Sequence, residues 1–155
     1  GWYGLLTVSL YDSKYKAYDQ VWRNTAFNTN YVVNFLCGYE WKVGKKNFLT
    51  LDLRTVYSGG MRYIPIDVAE SKAKSEIVYD WSQAYDHRQK DYFRTDFRIG
   101  FRQNFKHISQ EWGLDLQNVS NHKNIFADQY NAATQEVVTV YQQGFLPMML
   151  YRINF

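Results

Sequence analysis

The chain has 155 residues, a length that suits one domain, and 46% of them are hydrophobic and 19% aromatic. Fourteen Tyr, ten Phe and five Trp are unusual beside a mean hydropathy of −0.50. The net charge of +3, from 18 basic and 15 acidic residues, is spread without a basic arm or stripe, which disfavours nucleic acid as a partner. A single cysteine excludes a disulfide framework and a multi-cysteine metal site. Nine glycines and two prolines exclude a collagenous or disordered chain. The longest apolar run, Phe145–Leu150, is far shorter than the roughly 20 residues a spanning helix needs.

Hydrophobicity alternates with period 2 almost throughout, and the spacing predicts six long strands. The first, 2–16, sets Trp2, Gly4, Leu6, Val8 and Leu10 against Tyr3, Leu5, Thr7, Ser9 and Tyr11. The second, 29–43, sets Tyr31, Val33, Phe35, Cys37, Tyr39 and Trp41 against Val32, Asn34, Leu36, Gly38 and Glu40. In the third, 48–58, Leu49, Leu51 and Leu53 alternate with Thr50, Asp52 and Arg54. The fourth, 91–104, is the cleanest. Phe93, Thr95, Phe97, Ile99 and Phe101 lie opposite Arg94, Asp96, Arg98, Gly100 and Arg102. The fifth, 109–120, alternates Trp112, Leu114 and Leu116 with Glu111, Gly113, Asp115 and Gln117, and the sixth, 146–155, carries Met149, Tyr151, Ile153 and Phe155 on one face.

The connections between these strands alternate in length. Gly44–Lys46 and Phe105–Ile108 are short, whereas 17–28, 59–90 and 121–145 are long and polar. A transmembrane β-barrel explains that pattern, because its periplasmic turns are short and its extracellular loops long. About 9–11 tilted residues cross the hydrocarbon, and Trp2, Tyr31, Tyr39, Trp41, Tyr57, Trp112 and Tyr151 sit near strand ends as an interfacial girdle would. The expected fold is therefore all-β: an antiparallel transmembrane β-barrel segment of about six strands, with residues 1–155 a single unit. Six strands are too few to close alone, since single-chain bacterial barrels begin at eight. A soluble antiparallel sandwich, with carbohydrate binding as its function, is the competing expectation.

The charged row Asp52, Arg54, Arg94, Asp96, Arg98, Arg102, Glu111 and Asp115 is expected to face the lumen as a ladder of opposite charges. Pairing the fourth and fifth strands so that residue numbers sum to 213 sets Arg98 against Asp115 and Arg102 against Glu111. It also avoids facing Asp96 with Asp115. Chemistry is weakly represented. His87, His107 and His122 fall in three separate connections, which suits solvated loop histidines better than a zinc site. Cys37 lies between Phe35 and Tyr39 on the apolar face and reads as a small hydrophobe. Asn118-Val119-Ser120 matches a frequent glycosylation pattern, and Gly59-Gly60 reads as a flexible turn rather than a phosphate loop. Glu70–Lys74 suits a short helical turn. In the loop 59–90, Tyr79, Trp81 and Tyr85 are candidates to stack on a ligand, although self-packing of the loop explains them as well. No cofactor is expected from these residues.

Several segments carry a family resemblance. The stretch Leu150-Tyr151-Arg152-Ile153-Asn154-Phe155 is similar to the assembly signal of outer-membrane proteins, with Met149, Tyr151, Ile153 and Phe155 as its apolar row. Ser9–Tyr15, Trp22–Thr25, Gly59–Asp67, Asp91–Arg94 and Trp112–Val119 follow in matching order. Together they resemble the last strands of the TonB-dependent outer-membrane receptors of Bacteroidota-type bacteria. That resemblance implies part of a 22-stranded barrel in the bacterial outer membrane, taking up a scarce nutrient with no bond made or broken and hence no enzymatic role. It implies as partners the remaining strands and plug of the receptor (or another envelope chain), the barrel-assembly machinery and the surrounding lipid. TonB itself would be engaged through an N-terminal part that is not among these residues. A passive pore or structural barrel without energy coupling is the alternative within the same architecture.

Overall fold

A computed structural model describes all residues from Gly1 to Phe155. In chain order the strands are β1 (Trp2–Leu10), β2 (Lys14–Lys16), β3 (Trp22–Asn24), β4 (Tyr31–Val43), β5 (Asn47–Ser58) and β6 (Arg62–Tyr63). A short helix α1 (Val68–Lys74) and a 3₁₀ turn at Trp81–Gln83 follow. Then come β7 (His87–Arg88), β8 (Tyr92–Asn104), β9 (Ser109–Gln117), β10 (Ile125–Asn131), β11 (Glu136–Tyr141) and β12 (Leu146–Asn154). The six long strands form one antiparallel sheet in the order β1-β4-β5-β8-β9-β12. The sheet is open, with β1 and β12 as its edges. The strands β2–β3, β6–β7 and β10–β11 make three small two-stranded sheets in the long connections.

Side-chain parity is maintained across every pair. Trp41 lies opposite Leu49, Leu49 opposite Phe101, Phe101 opposite Trp112, and Trp112 opposite Tyr151. The other face carries the polar rows. One runs Tyr3, Gly38, Asp52, Arg98, Asp115, Met148; another runs Phe48, Arg102, Glu111, Arg152. The β8–β9 register is the one the charges require, with Arg98 opposite Asp115 and Arg102 opposite Glu111. Its four-residue turn closes through Phe105 N–H donating to the Ile108 carbonyl at 2.8 Å.

On the apolar face two aromatic bands bracket an aliphatic zone. Near the short turns, Trp2 and Tyr39 meet edge to face at 4.7 Å, Tyr39 and Trp41 at 4.4 Å, and Trp112 and Tyr151 at 4.2 Å. At the loop end, Tyr31 contacts Tyr57 at 5.6 Å and Tyr57 contacts Phe93 at 6.4 Å. From Tyr31 to Trp41 the strand rises roughly 34 Å at about 3.4 Å per residue, or about 24 Å along an axis tilted by about 45°.

Nothing packs over either face to form a core. Among hydrophobic side chains only Ala84, in a loop, is buried, while Trp2 is 80% exposed, Leu6 62% and Met149 85%. A large apolar side chain left in water forgoes about 1.5–3 kcal/mol of burial free energy. A contiguous face of them therefore requires an apolar cover. The second layer that a soluble sandwich needs is missing from this fold.

Two strand boundaries differ from the periodicity. The strand expected over 2–16 stops at Leu10, because the Asn28 amide takes over the turn: Ser13 N–H donates to its Oδ1 at 3.0 Å, and its Nδ2 donates to Asp12 at 2.8 Å. The strand expected over 109–120 stops at Gln117, where buried Asn118 turns left-handed (φ 49°). Gly59-Gly60 is not a flexible turn. Both glycines are buried, and a Cβ at Gly59 or Gly60 would strike the carbonyl of Thr29 or of Gln89.

Gly60→Ala should therefore destabilise the protein by about 1–3 kcal/mol. Gly44→Ala, with open space around it but φ of +68°, should cost about 1 kcal/mol from its backbone conformation alone. Urea unfolding of the two variants side by side in detergent checks the order.

Candidate functional site

All three long connections leave the sheet at one end, beside Leu10, Tyr31, Ser58, Tyr92, Gln117 and Leu146. They are fastened there mainly by side-chain amides. Asn124 mimics a strand partner: its Oδ1 accepts from Phe93 N–H at 3.0 Å and its Nδ2 donates to the Phe93 carbonyl at 2.8 Å. Asn118 donates to the carbonyls of His122 (3.0 Å) and Gln143 (3.4 Å) and accepts from Ser120 and from His122 N–H. Its amide is buried and committed, so the glycosylation pattern it begins is closed.

Asp91 anchors the base of the loop 59–90. Oδ2 accepts the Tyr31 hydroxyl at 2.7 Å and the Tyr57 hydroxyl at 3.2 Å, while Oδ1 accepts Gly60 N–H at 3.2 Å and Arg88 Nη2 at 3.3 Å. The Tyr31 hydroxyl, followed by the Gly60 amide, Tyr57 and Arg88, holds this carboxyl below its ordinary range against the opposing effect of burial. Further along, Asp67 caps α1 by accepting Glu70 N–H at 2.9 Å, and Glu70 pairs with Lys74 at 3.2 Å. Helix α1 falls on the helical turn expected at Glu70–Lys74.

Two of the concavities bear on function. The larger, about 490 Å³, lies between the loop 59–90 and the β10–β11 hairpin. Met61–Ile66, Tyr79, Trp81 and Gln89 line it from the loop side; Phe126, Ala127, Asp128 and Val137 line it from the hairpin side. Tyr79 and Trp81 meet edge to face at 6.4 Å, and Trp81 remains 67% exposed. Tyr85 does not line this cleft. Its backbone is left-handed (φ 62°), and its carbonyl accepts from Arg62 Nη1. Of the three ligand candidates, the structure thus brings together Tyr79 and Trp81 and leaves out Tyr85.

The second concavity, about 360 Å³, lies on the charged sheet face and includes Tyr3, Asp52, Arg54, Asp96, Arg98, Asp115 and Gln117. Its ion pairs run partly on diagonals. Arg98 sits between Glu111 (2.9 Å) and Asp115 (3.5 Å), and Arg94 pairs with Asp96 on its own strand at 2.7 Å. Arg102 reaches Glu40 at 3.4 Å instead of Glu111, which also takes Arg152 at 3.6 Å. The Tyr3 hydroxyl donates to Asp52. Arg54, opposite Asp96 in register, makes no ion pair. These pairs are half exposed, so each contributes at most about 1 kcal/mol. The histidines stay apart: His87 bonds Gln83 at 2.8 Å, His122 stands edge-on to Phe93, and His107 lies in the short turn after β8.

The hairpin β10–β11 was not among the expected strands, yet it supplies one wall of the larger cleft. Its signal was the β-branched run Val137-Val138-Thr139-Val140 facing the alternation Phe126, Asp128, Tyr130. Comparison of the chain with family models, with curated proteins and with solved structures finds no match.

Because the Asp91 carboxyl is depressed in the folded state, its stabilising contribution is complete above about pH 4, the ordinary aspartate range. It is lost as pH falls through the lower folded-state value. Asp91→Asn should therefore lower stability near neutral pH and flatten the acid limb of the stability profile. Unfolding midpoints measured from pH 7 to pH 2 check both effects.

Proposed function

We propose that this chain is a wall segment of a bacterial outer-membrane β-barrel, with the apolar face toward lipid and the charged face toward the lumen. The observation that carries the reading is the uncovered apolar face. It is one contiguous surface bracketed by aromatic bands; at a barrel tilt of about 45° their separation along the normal would be about 24 Å, close to the roughly 25 Å apolar band of such barrels. The gathering of every long connection at one end supports the same orientation, with short turns periplasmic and the loop cleft extracellular. The open edges at β1 and β12 pair in this reading with further strands of a larger barrel.

Within that architecture we assign the chain to a TonB-dependent receptor for a scarce nutrient, of the Bacteroidota type. The support is the resemblance carried by Ser9–Tyr15, Gly59–Asp67, Trp112–Val119 and the terminal row Met149, Tyr151, Ile153 and Phe155. The chain contributes wall, loops and assembly signal; plug and TonB contact lie in other parts of such a receptor. No bond is made or broken in this role. The water-accessible charged concavity suits a passive pore equally well. Uptake by cells with and without a protonophore separates the two, since only an energy-coupled receptor stops when the proton gradient collapses. Fractionation with the outer membrane and heat-modifiable electrophoretic migration of the full-length protein test the barrel itself; recovery in the soluble fraction without detergent overturns it.

Ile99→Arg, in the middle of the apolar face, should cost about 2–4 kcal/mol in lipid. Gln117→Lys, beside Asp96 and Asp115 on the charged face, should stay within about 0.5 kcal/mol. Gly100 is unsuitable as the matching site, because a Cβ there meets Thr50 Oγ1. Unfolding titrations in phospholipid vesicles compare the two; equal damage on both faces argues against lipid contact. Deletion of Phe155 should lower the amount of assembled protein in the outer membrane without changing the stability of what inserts, which quantitative immunoblotting of membrane fractions measures.

A further inference from the structure

The loop cleft has an unusual balance of groups. Trp81 and Phe126 are 67% and 66% exposed on its opposite sides, and Ile66 and Tyr79 add apolar surface between them. Burying such rings against a ligand is favourable by area alone, and their faces attract positive charge. Two charged residues line the cleft, and the structure treats them differently. Arg62 is a strut: its Nε donates to the Asn28 carbonyl at 3.3 Å, and its Nη1 to the carbonyls of Tyr85 and Asp86, each at 3.2 Å. Those three carbonyl dipoles direct their negative ends at the guanidinium and offset its charge locally. Asp128 has no such compensation. Its Oδ1 accepts the Thr139 hydroxyl at 2.6 Å, its Oδ2 has no hydrogen-bond donor in the protein, and no basic side chain forms an ion pair with it. A half-buried carboxylate beside apolar rings, with one oxygen free, is an acceptor waiting for a donor.

We propose that this cleft binds a flat, apolar-bodied cation, a ring system that lies between Trp81 and Phe126 and directs a positively charged nitrogen to Asp128. The inference rests on the outer-membrane reading only for its location, on the extracellular side. About 490 Å³ lies within the size range of small-molecule sites. Anionic ligands are disfavoured by the free carboxylate, and a bare metal cation by a lining with no second carboxylate. A neutral sugar could stack on Trp81, but it would leave most of the aliphatic stretch Ile64–Ile66 facing polar hydroxyls.

The test uses the full-length protein in detergent and three bicyclic probes of similar shape: 4-aminoquinoline (a ring N–H cation at pH 7.5), quinoline (neutral at pH 7.5) and 2-naphthalenesulfonate, with affinities from isothermal titration calorimetry. The cation should bind about tenfold more tightly than quinoline, and the sulfonate should bind weakest. Asp128→Asn, which keeps the side-chain shape and the Thr139 contact, should erase the difference between cation and neutral probe. Trp81→Ala should weaken both by a similar factor. Equal binding of all three probes, tighter binding of the sulfonate, no binding of any, or an unchanged cation preference in Asp128→Asn overturns the proposal. Heat-modifiable migration of the same preparations reports the barrel independently. Loss of binding in a heat-modifiable protein refutes the cleft assignment alone, whereas a soluble protein refutes the barrel and leaves the probe comparison to be scored as before.

Discussion

The pleat is the constraint on which everything else in this molecule depends. Successive side chains alternate between faces, so a one-residue slip at any of five strand pairings would move a row of rings to the charged side. No such slip occurs from β1 to β12. Two short turns hold two of the pairings directly, at Gly44–Lys46 and Phe105–Ile108. The charges reinforce the second, because this alignment keeps Asp96 from facing Asp115 while Arg98 reaches both Glu111 and Asp115. Glycine then makes room on the crowded polar face. A Cβ at Gly38 would collide with Asp52 and the Tyr3 ring, and one at Gly100 with Thr50. The missing side chains are what let a tyrosine and an aspartate meet across three strands.

The sheet was legible in the sequence because its determinants are local and periodic. The alternation of Phe93, Phe97, Ile99 and Phe101 with Arg94, Asp96, Arg98 and Arg102 states both faces of β8, and charge complementarity with Glu111 and Asp115 states its register. The loop layer follows different physics. Its stability comes from single amides, such as Asn28, Asn118 and Asn124, that satisfy backbone groups of segments distant in sequence. No periodicity announces which asparagine will do this. Asp91 is the clearest case: as a residue before a strand it looks solvated, yet it gathers Tyr31, Tyr57, Gly60 and Arg88 from four parts of the chain. The site was half legible for the same reason. Tyr79 and Trp81 stood out as rings in a polar loop, whereas Asp128 gains meaning only once the β10–β11 hairpin lies against that loop.

The fixed loop layer also bears on how a ligand could be handled. Gly59 and Gly60 press against backbone carbonyls, Asp91 ties the loop base, and Asn124 splices the third connection to β8. A cleft built on such supports is pre-organised, so little conformational entropy is lost when it is filled. The concavity on the charged face is organised differently. Its arginines and carboxylates are half exposed and can exchange partners, with Glu111 shared between Arg98 and Arg152 and Arg54 left unpaired. Selective binding suits the first arrangement. The second suits a wet surface that passes polar material or meets a polar partner without holding it.

The two edges decide what this sheet needs from its surroundings. β1 is exposed along its whole length, and the apolar row of β12 that ends in Ile153 is open as well. In water an open edge invites pairing with other chains, and in hydrocarbon each unsatisfied backbone group costs several kcal/mol. Curling these six strands into a tube would not solve the problem. Eight strands already give an interior just filled by side chains, and here the inner rows would bring Tyr3, Arg54, Arg94, Arg98, Arg102 and Arg152 toward one axis. Those long polar side chains would have no room in so narrow a tube. In the barrel proposed above, both edges pair with strands beyond this sheet. A wider barrel, as proposed, would give the arginines room and a wet lumen, and would turn the apolar face toward lipid.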